Sequence, residues 1–166
     1  MNFWFKNLPL IDLHRAVFSR LCQGRTLEYF SDHTPNFVAE KMSRMLYAPA
    51  VAELQKWKEK GTKILLLSSS PDFIVKAVAK ALGISDGYGT EYLVDSSGIL
   101  TDIGYLLDGP RKAKILKEKT LEHDVTMAYS DHVCDLPFLE SVSHPIVVNP
   151  ERRLKKIARR RGWKIL

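Results

Sequence analysis

The chain has 166 residues, 45% of them hydrophobic and 27% charged, a balance that excludes a fibrous or disordered protein and bounds it at one domain with room for a small appendage. No apolar run reaches the ~18 residues that span a bilayer, so no membrane partner is expected. The net charge of +6 is local: residues 151–166 hold eight Lys/Arg against one Glu, and the other 150 residues sum to −1.

The start, Met1-Asn2-Phe3-Trp4-Phe5-Lys6, lacks the basic, long apolar and small-residue pattern of a signal peptide. Cys22 and Cys134 lie far apart and fit a reducing cytoplasm better than a disulfide scaffold. A cytoplasmic protein is therefore expected.

The first sixty residues read as helices. One is expected over 8–22 and a second over 35–46, with Thr34 as N-cap. A third spans 49–60, opened by Pro49 and closed by Gly61. From Lys63 the pattern changes to strands alternating with helices. Strands are expected at 63–67, 125–128 and 145–148, with helices at 71–82, 111–121, 136–142 and 151–161. Such alternation implies a parallel sheet with right-handed crossovers. Between the two halves, 90–102 reads as a hairpin flap around the turn Asp95-Ser96-Ser97-Gly98. The last helix turns Leu154, Ile157 and Ala158 inward. Its basic side is read first as a solvated face, so nucleic acid is not the expected partner.

Three segments carry chemistry. Ser68-Ser69-Ser70-Pro71 stands where a strand gives way to a helix N-terminus, so its hydroxyls and unpaired amides either bind an anion or simply cap the helix. Lys112 stands just inside a helix start, where a cation is unfavourable for the dipole. It is either a point-charge clamp on phosphate or a surface lysine. Asp131 and Asp135, four apart after the strand at 125–128, have the oxygen chemistry that Mg²⁺ prefers, although acidic pairs at this spacing also occur in solvated loops. The order strand–Ser, Lys, strand–Asp places all of them where open α/β sheets bind ligands.

In that order the chain resembles the haloacid dehalogenase superfamily of phosphohydrolases, in particular its phosphoserine-phosphatase-like subfamily IB. Leu65 to Phe73 is similar to the second motif, Gly98-Ile99-Leu100-Thr101 to the flap, Gly109-x-x-Lys112 to the third motif, and Tyr129 to Leu139 to the fourth. The resemblance implies a Rossmann-like α/β core over 61–166, a helical cap over 1–60, and a small phosphorylated metabolite as partner. It further implies that Ser68, with Ser69, binds the transferring phosphoryl group and that Lys112 neutralises charge as a catalytic residue. Asp131 would hold Mg²⁺ directly, with Asp135 in support. Two departures are Ser130, where the family usually has Gly, and His132, where Ser is common; His132 is expected on the loop surface.

One part is absent. The superfamily's reaction needs a nucleophilic Asp with a second Asp two residues later, on a first strand. No D-x-D pair exists in the sequence, and Asp12-Leu13-His14 falls within a helical pattern. The expectation is a core lacking its first strand and inactive by itself, presented as an N-terminally truncated chain that an upstream segment would complement. Met1-Asn2-Phe3-Trp4-Phe5 is apolar enough to be a strand but carries no carboxylate. The alternative expectation is a non-catalytic phosphate- or partner-binding relic, or a nucleic-acid binder acting through the basic C-terminal helix.

Overall fold

In the computed structural model, which describes residues 9–166, three helices come first: α1 (Leu10–Leu21), α2 (Leu27–Met45) and α3 (Ala48–Glu59). Helix α2 starts eight residues before the expected Pro35 because Thr26 already opens it, its hydroxyl accepting from the Tyr29 N–H at 3.2 Å. Pro35 therefore lies inside the helix, and Thr34 is a buried mid-helix residue whose hydroxyl donates to the Phe30 carbonyl, not an N-cap. Gly61, at φ +67°, closes α3 as expected. Asp12 lies inside α1, which agrees with rejecting it as a strand-borne nucleophile. The apolar segment at residues 1–5 lies outside the described residues.

The next elements are β1 (Leu65–Pro71), α4 (Asp72–Ala81), β2 (Asp86–Val94) and β3 (Leu100–Tyr105). β1 pairs with β2 in parallel, and β2 turns back antiparallel onto β3. The hairpin has the expected turn, with the Asp95 carboxylate accepting from Ser97 N–H at 2.8 Å and Ile99 N–H at 3.0 Å. The pairing extends beyond the expected flap at 90–102, since the first half of β2 is a sheet strand beside β1. Gly89 permits that placement: a Cβ there would sit 2.6 Å from the Asp72 Cα, so only glycine lets β2 pass the start of α4.

The chain ends with α5 (Gly109–Lys119), β4 (Met127–Ser130), a single 3₁₀ turn (Val133–Asp135), α6 (Leu136–Leu139), β5 (His144–Val147), α7 (Arg152–Arg161) and β6 (Lys164–Ile165). Strands β4, β5 and β6 form a second, wholly parallel sheet. The α/β class is as expected, but among the described residues the strands form two three-stranded sheets, not one. β1 and β4 are edge strands of their own sheets. A continuous apolar run such as Leu65-Leu66-Leu67 ordinarily belongs to a strand covered on both sides, yet all three leucines are only half-buried.

Packing divides the chain into two units. The first takes the residues through Met45 with Ile64–Leu107; the second takes Leu46–Lys63 with Asp108–Leu166. Packing thus groups α3 with the C-terminal sheet, whereas the expected cap boundary at residue 60 grouped it with α1 and α2. The core of the second unit is Ala128, Leu139, Val147, Leu154 and Ala158. That of the first is Phe18, Cys22 and Leu100, flanked by Phe30, Tyr92 and Ile103, with Phe18 edge-on to Tyr92 at 5.1 Å. Both cysteines are free, Cys22 buried and Cys134 exposed.

Among the described residues the buried Tyr92 hydroxyl has no hydrogen-bond partner, and burial, with a smaller push from Cys22, raises its pKa to about 12. A raised folded pKa gives stability that is intact below pH 10 and falls as pH rises toward 12. Tyr92→Phe is therefore expected to be neutral or slightly stabilising at pH 7. It should lose less stability than the parent chain between pH 10 and 12, as read by urea melts at pH 7 and pH 11. An equal alkaline loss in both proteins would contradict this.

Candidate active site

In the first unit the serines sit at the C-terminal end of β1. Ser68 is half-buried, and its hydroxyl accepts from the Ser70 N–H at 3.2 Å, which curls the loop into the start of α4. Ser69 is engaged elsewhere, its hydroxyl donating to the Leu107 carbonyl at 2.8 Å. The same loop is held by Thr90, only 1% exposed. Its hydroxyl donates to the Ser69 carbonyl at 2.6 Å and accepts from the Leu107 N–H at 3.2 Å. Ser69 and Thr90 thus clasp the loop, while the Ser68 side chain remains able to turn to a ligand. Sequence reasoning missed Thr90, although a Thr inside an apolar β pattern was the available signal.

A cleft of about 510 Å³ opens in this unit between α2, α4 and β2, lined by Ser31, Thr34, Asp72, Phe73, Thr90 and Tyr92 among others. Arg25 is not part of its wall; its guanidinium stands 5.3 Å from the Tyr29 ring centre.

In the second unit Asp108 caps α5, its carboxylate accepting from the Arg111 N–H at 3.1 Å. Gly109 brings the helix start against the loop after β4, because a Cβ at this position would collide with the Cys134 carbonyl. That approach sets Lys112 on Asp135: the ammonium donates to Oδ1 at 2.7 Å and to Oδ2 at 2.9 Å. Lys112 is 6% exposed, which rules out the surface-lysine reading. Ser130, the residue in place of the family's usual Gly, donates its hydroxyl to Asp135 Oδ2 at 2.8 Å.

Asp135 therefore has both oxygens occupied, whereas Asp131 is exposed and its carboxylate makes no hydrogen bond or ion pair among the described residues. The Asp131 carbonyl accepts from the Glu151 N–H at 3.1 Å, which ties the loop to the start of α7. His132 stays on the surface as expected, with Nδ1 accepting from the Cys134 N–H at 3.1 Å and Nε2 3.5 Å from Glu151. Among the described residues no group of three or more His, Cys, Asp or Glu converges on a metal position. The donors present are one open carboxylate and one saturated carboxylate. Mg²⁺ commonly keeps several waters and takes one or two carboxylates plus phosphate oxygens, so this set fits an ion whose remaining ligands come from water and substrate.

The first unit thus offers serines at the end of a parallel strand, and the second a buried lysine–aspartate pair beside an open aspartate after a parallel strand of its own. The chain belongs to the haloacid dehalogenase-like hydrolases, whose family model matches residues 6–140. It is 30% identical to a probable phosphatase of Mycobacterium tuberculosis over 162 residues, covering 94% of this chain and 56% of that protein. It thus spans little more than half the length of that relative. Two solved structures share the fold. A Bordetella pertussis protein of unknown function superposes with a TM-score of 0.81 at 20% identity, over 97% of this chain and 75% of that one. A substrate-bound phosphoserine phosphatase does so with a TM-score of 0.54 at 21% identity, over 64% of this chain and 53% of that one. Among the described residues no helix is long and apolar enough to cross a membrane.

Proposed function

We propose that this chain is the phosphate-binding part of a Mg²⁺-dependent phosphomonoester hydrolase, acting on a small phosphorylated metabolite, and that it has no turnover by itself. The observation that carries the reading is the buried Lys112 ammonium held on both oxygens of Asp135. A buried cation on a satisfied carboxylate is fixed in place before any ligand arrives, and fixed charge is what a phosphoryl group needs.

In this reading Lys112 offsets phosphate charge, Ser68 donates its hydroxyl to a phosphoryl oxygen, and Ser69 holds the loop. Asp131 would be the direct Mg²⁺ ligand and Asp135 its support; bound there, the ion would screen charge between two anionic groups. The missing step is nucleophilic attack, since the sequence has no D-x-D pair to form an acyl phosphate. Among the described residues β1 and β4 each end their own sheet, and unpaired apolar strand edges are ordinarily covered.

The test is a pure-chain assay with p-nitrophenyl phosphate and Mg²⁺, run beside thermal melts with inorganic phosphate. No hydrolysis is expected, together with a rise in Tm on adding phosphate that is lost in Ser68→Ala. Mg²⁺-dependent hydrolysis abolished by Asp131→Asn would overturn the inactivity. Melts unmoved by phosphate would overturn the binding.

A further inference from the structure

Helix α7 reads Arg-Arg-Leu-Lys-Lys-Ile-Ala-Arg-Arg-Arg, seven cations in ten residues with no acidic residue among them. At 100° per residue its side chains sort cleanly. Leu154 and Ala158 are fully buried in the core of the second unit, with Ile157 half-buried beside them. Arg161 falls on that inner side and is the cation with local partners: it pairs with Glu140 and stands 5.1 Å from the Trp163 ring centre. The other six, Arg152, Arg153, Lys155, Lys156, Arg159 and Arg160, occupy an arc of roughly 160° on the opposite side. All six are exposed, and none has an ion pair among the described residues.

Helix energetics alone does not account for this face. Cations in the last turn are favoured by the helix dipole, which covers Arg159 and Arg160, but Arg152 and Arg153 stand in the first turn, where the dipole opposes them. Like charges three and four apart, such as Arg152 with Lys156 and Lys155 with Arg159, repel across each turn. A surface that keeps this repulsion uncompensated is relieved when a polyanion lies on it.

We propose that the outer face of α7 is a docking surface for the phosphate backbone of duplex nucleic acid, bound without sequence preference. The helix is about 15 Å long, and that length of duplex carries roughly nine phosphate charges. The face holds only Arg and Lys, with no aromatic residue to stack on unpaired bases and no Asn or Gln to read adenine edges. A membrane surface suits it less, because the apolar residues that would enter the lipid interface are buried inside the protein. The surface shares no residue with Lys112 or Ser68, so its failure and that of the phosphatase reading are told apart by different measurements.

The experiment is fluorescence anisotropy of a labelled 20-base-pair duplex with the full chain across 50–200 mM salt. The expected plot of log affinity against log salt has a slope near −4 to −5, the value for about five neutralised phosphates. Lys155→Gln/Lys156→Gln/Arg159→Gln/Arg160→Gln should flatten the slope by about 3 to 4. Lys41→Gln/Lys80→Gln/Lys114→Gln/Lys117→Gln removes the same charge elsewhere and should leave the slope within one unit of the parent's. Circular dichroism confirms that both variants are folded. The proposal is overturned by no binding at 50 mM salt, by equal losses in the two variants, or by tighter retention on phosphatidylserine vesicles than on duplex at equal phosphate concentration.

Discussion

Lys112→Met is expected to lower the unfolding free energy by about 3–5 kcal/mol, the range for breaking a buried ion pair from one side. The loss does not measure the attraction itself. It arises because Asp135, with its side chain only 15% exposed, is left as a charge whose remaining partner is the Ser130 hydroxyl. The double variant Lys112→Met/Asp135→Leu should therefore recover much of the loss, since apolar replacement of both partners is often neutral or better. Urea denaturation of the two variants and the parent chain decides it. A double variant no more stable than Lys112→Met would show that the pair contributes through packing instead of charge compensation. The same substitution bears on function, because phosphate-dependent stabilisation should disappear in the single variant.

The placement of the candidate residues on strand ends and helix starts was legible because it obeys local rules. Ser68 stands at a strand-to-helix junction, Gly109 and Lys112 open a helix, and Asp131 and Asp135 follow a short apolar strand. The structure adds what spacing cannot give. Asp135 is committed to Lys112, which leaves Asp131 as the open carboxylate, and Ser69 faces Leu107. Those distinctions depend on contacts between residues 23 and 38 positions apart, which no local pattern encodes.

The errors have equally physical causes. Pro35 suits the first helical turn and so predicts a helix start there, but Thr26 caps the helix earlier and the proline lies inside it. The flap expected at 90–102 omits the first half of β2, Asp86-Gly87-Tyr88-Gly89. Gly87 and Gly89 are there for close approach to α4, where a Cβ would lie 2.8 Å from the Ala79 Cβ in one case and 2.6 Å from the Asp72 Cα in the other. Strand β6 has two residues and exists through its register with β5, Ile146 beside Lys164 and Val147 beside Ile165.

Leu154→Ala should cost about 3–4 kcal/mol, within the range for truncating a fully buried leucine that relaxation only partly refills. Leu154 has no exposed surface and packs in the cluster of Ala128, Leu139, Val147 and Ala158, where two of the four neighbours are already alanine and cannot move in to close the gap. For a chain of this size the corresponding fall in Tm is roughly 10 °C. Trp57 and Trp163 both belong to the second unit, so tryptophan fluorescence in a Trp4→Phe background reports its melting directly. A loss under about 1 kcal/mol would mean that Leu154 does not anchor α7 to the sheet. The consequence reaches the site through the start of the same helix. The Glu151 N–H holds the Asp131 carbonyl at 3.1 Å, and the Glu151 carboxylate accepts from the Val133 N–H at 3.1 Å, so the loop that presents Asp131 is braced by α7. Phosphate-dependent stabilisation in the presence of Mg²⁺ should accordingly weaken in Leu154→Ala, even at temperatures where the variant remains folded.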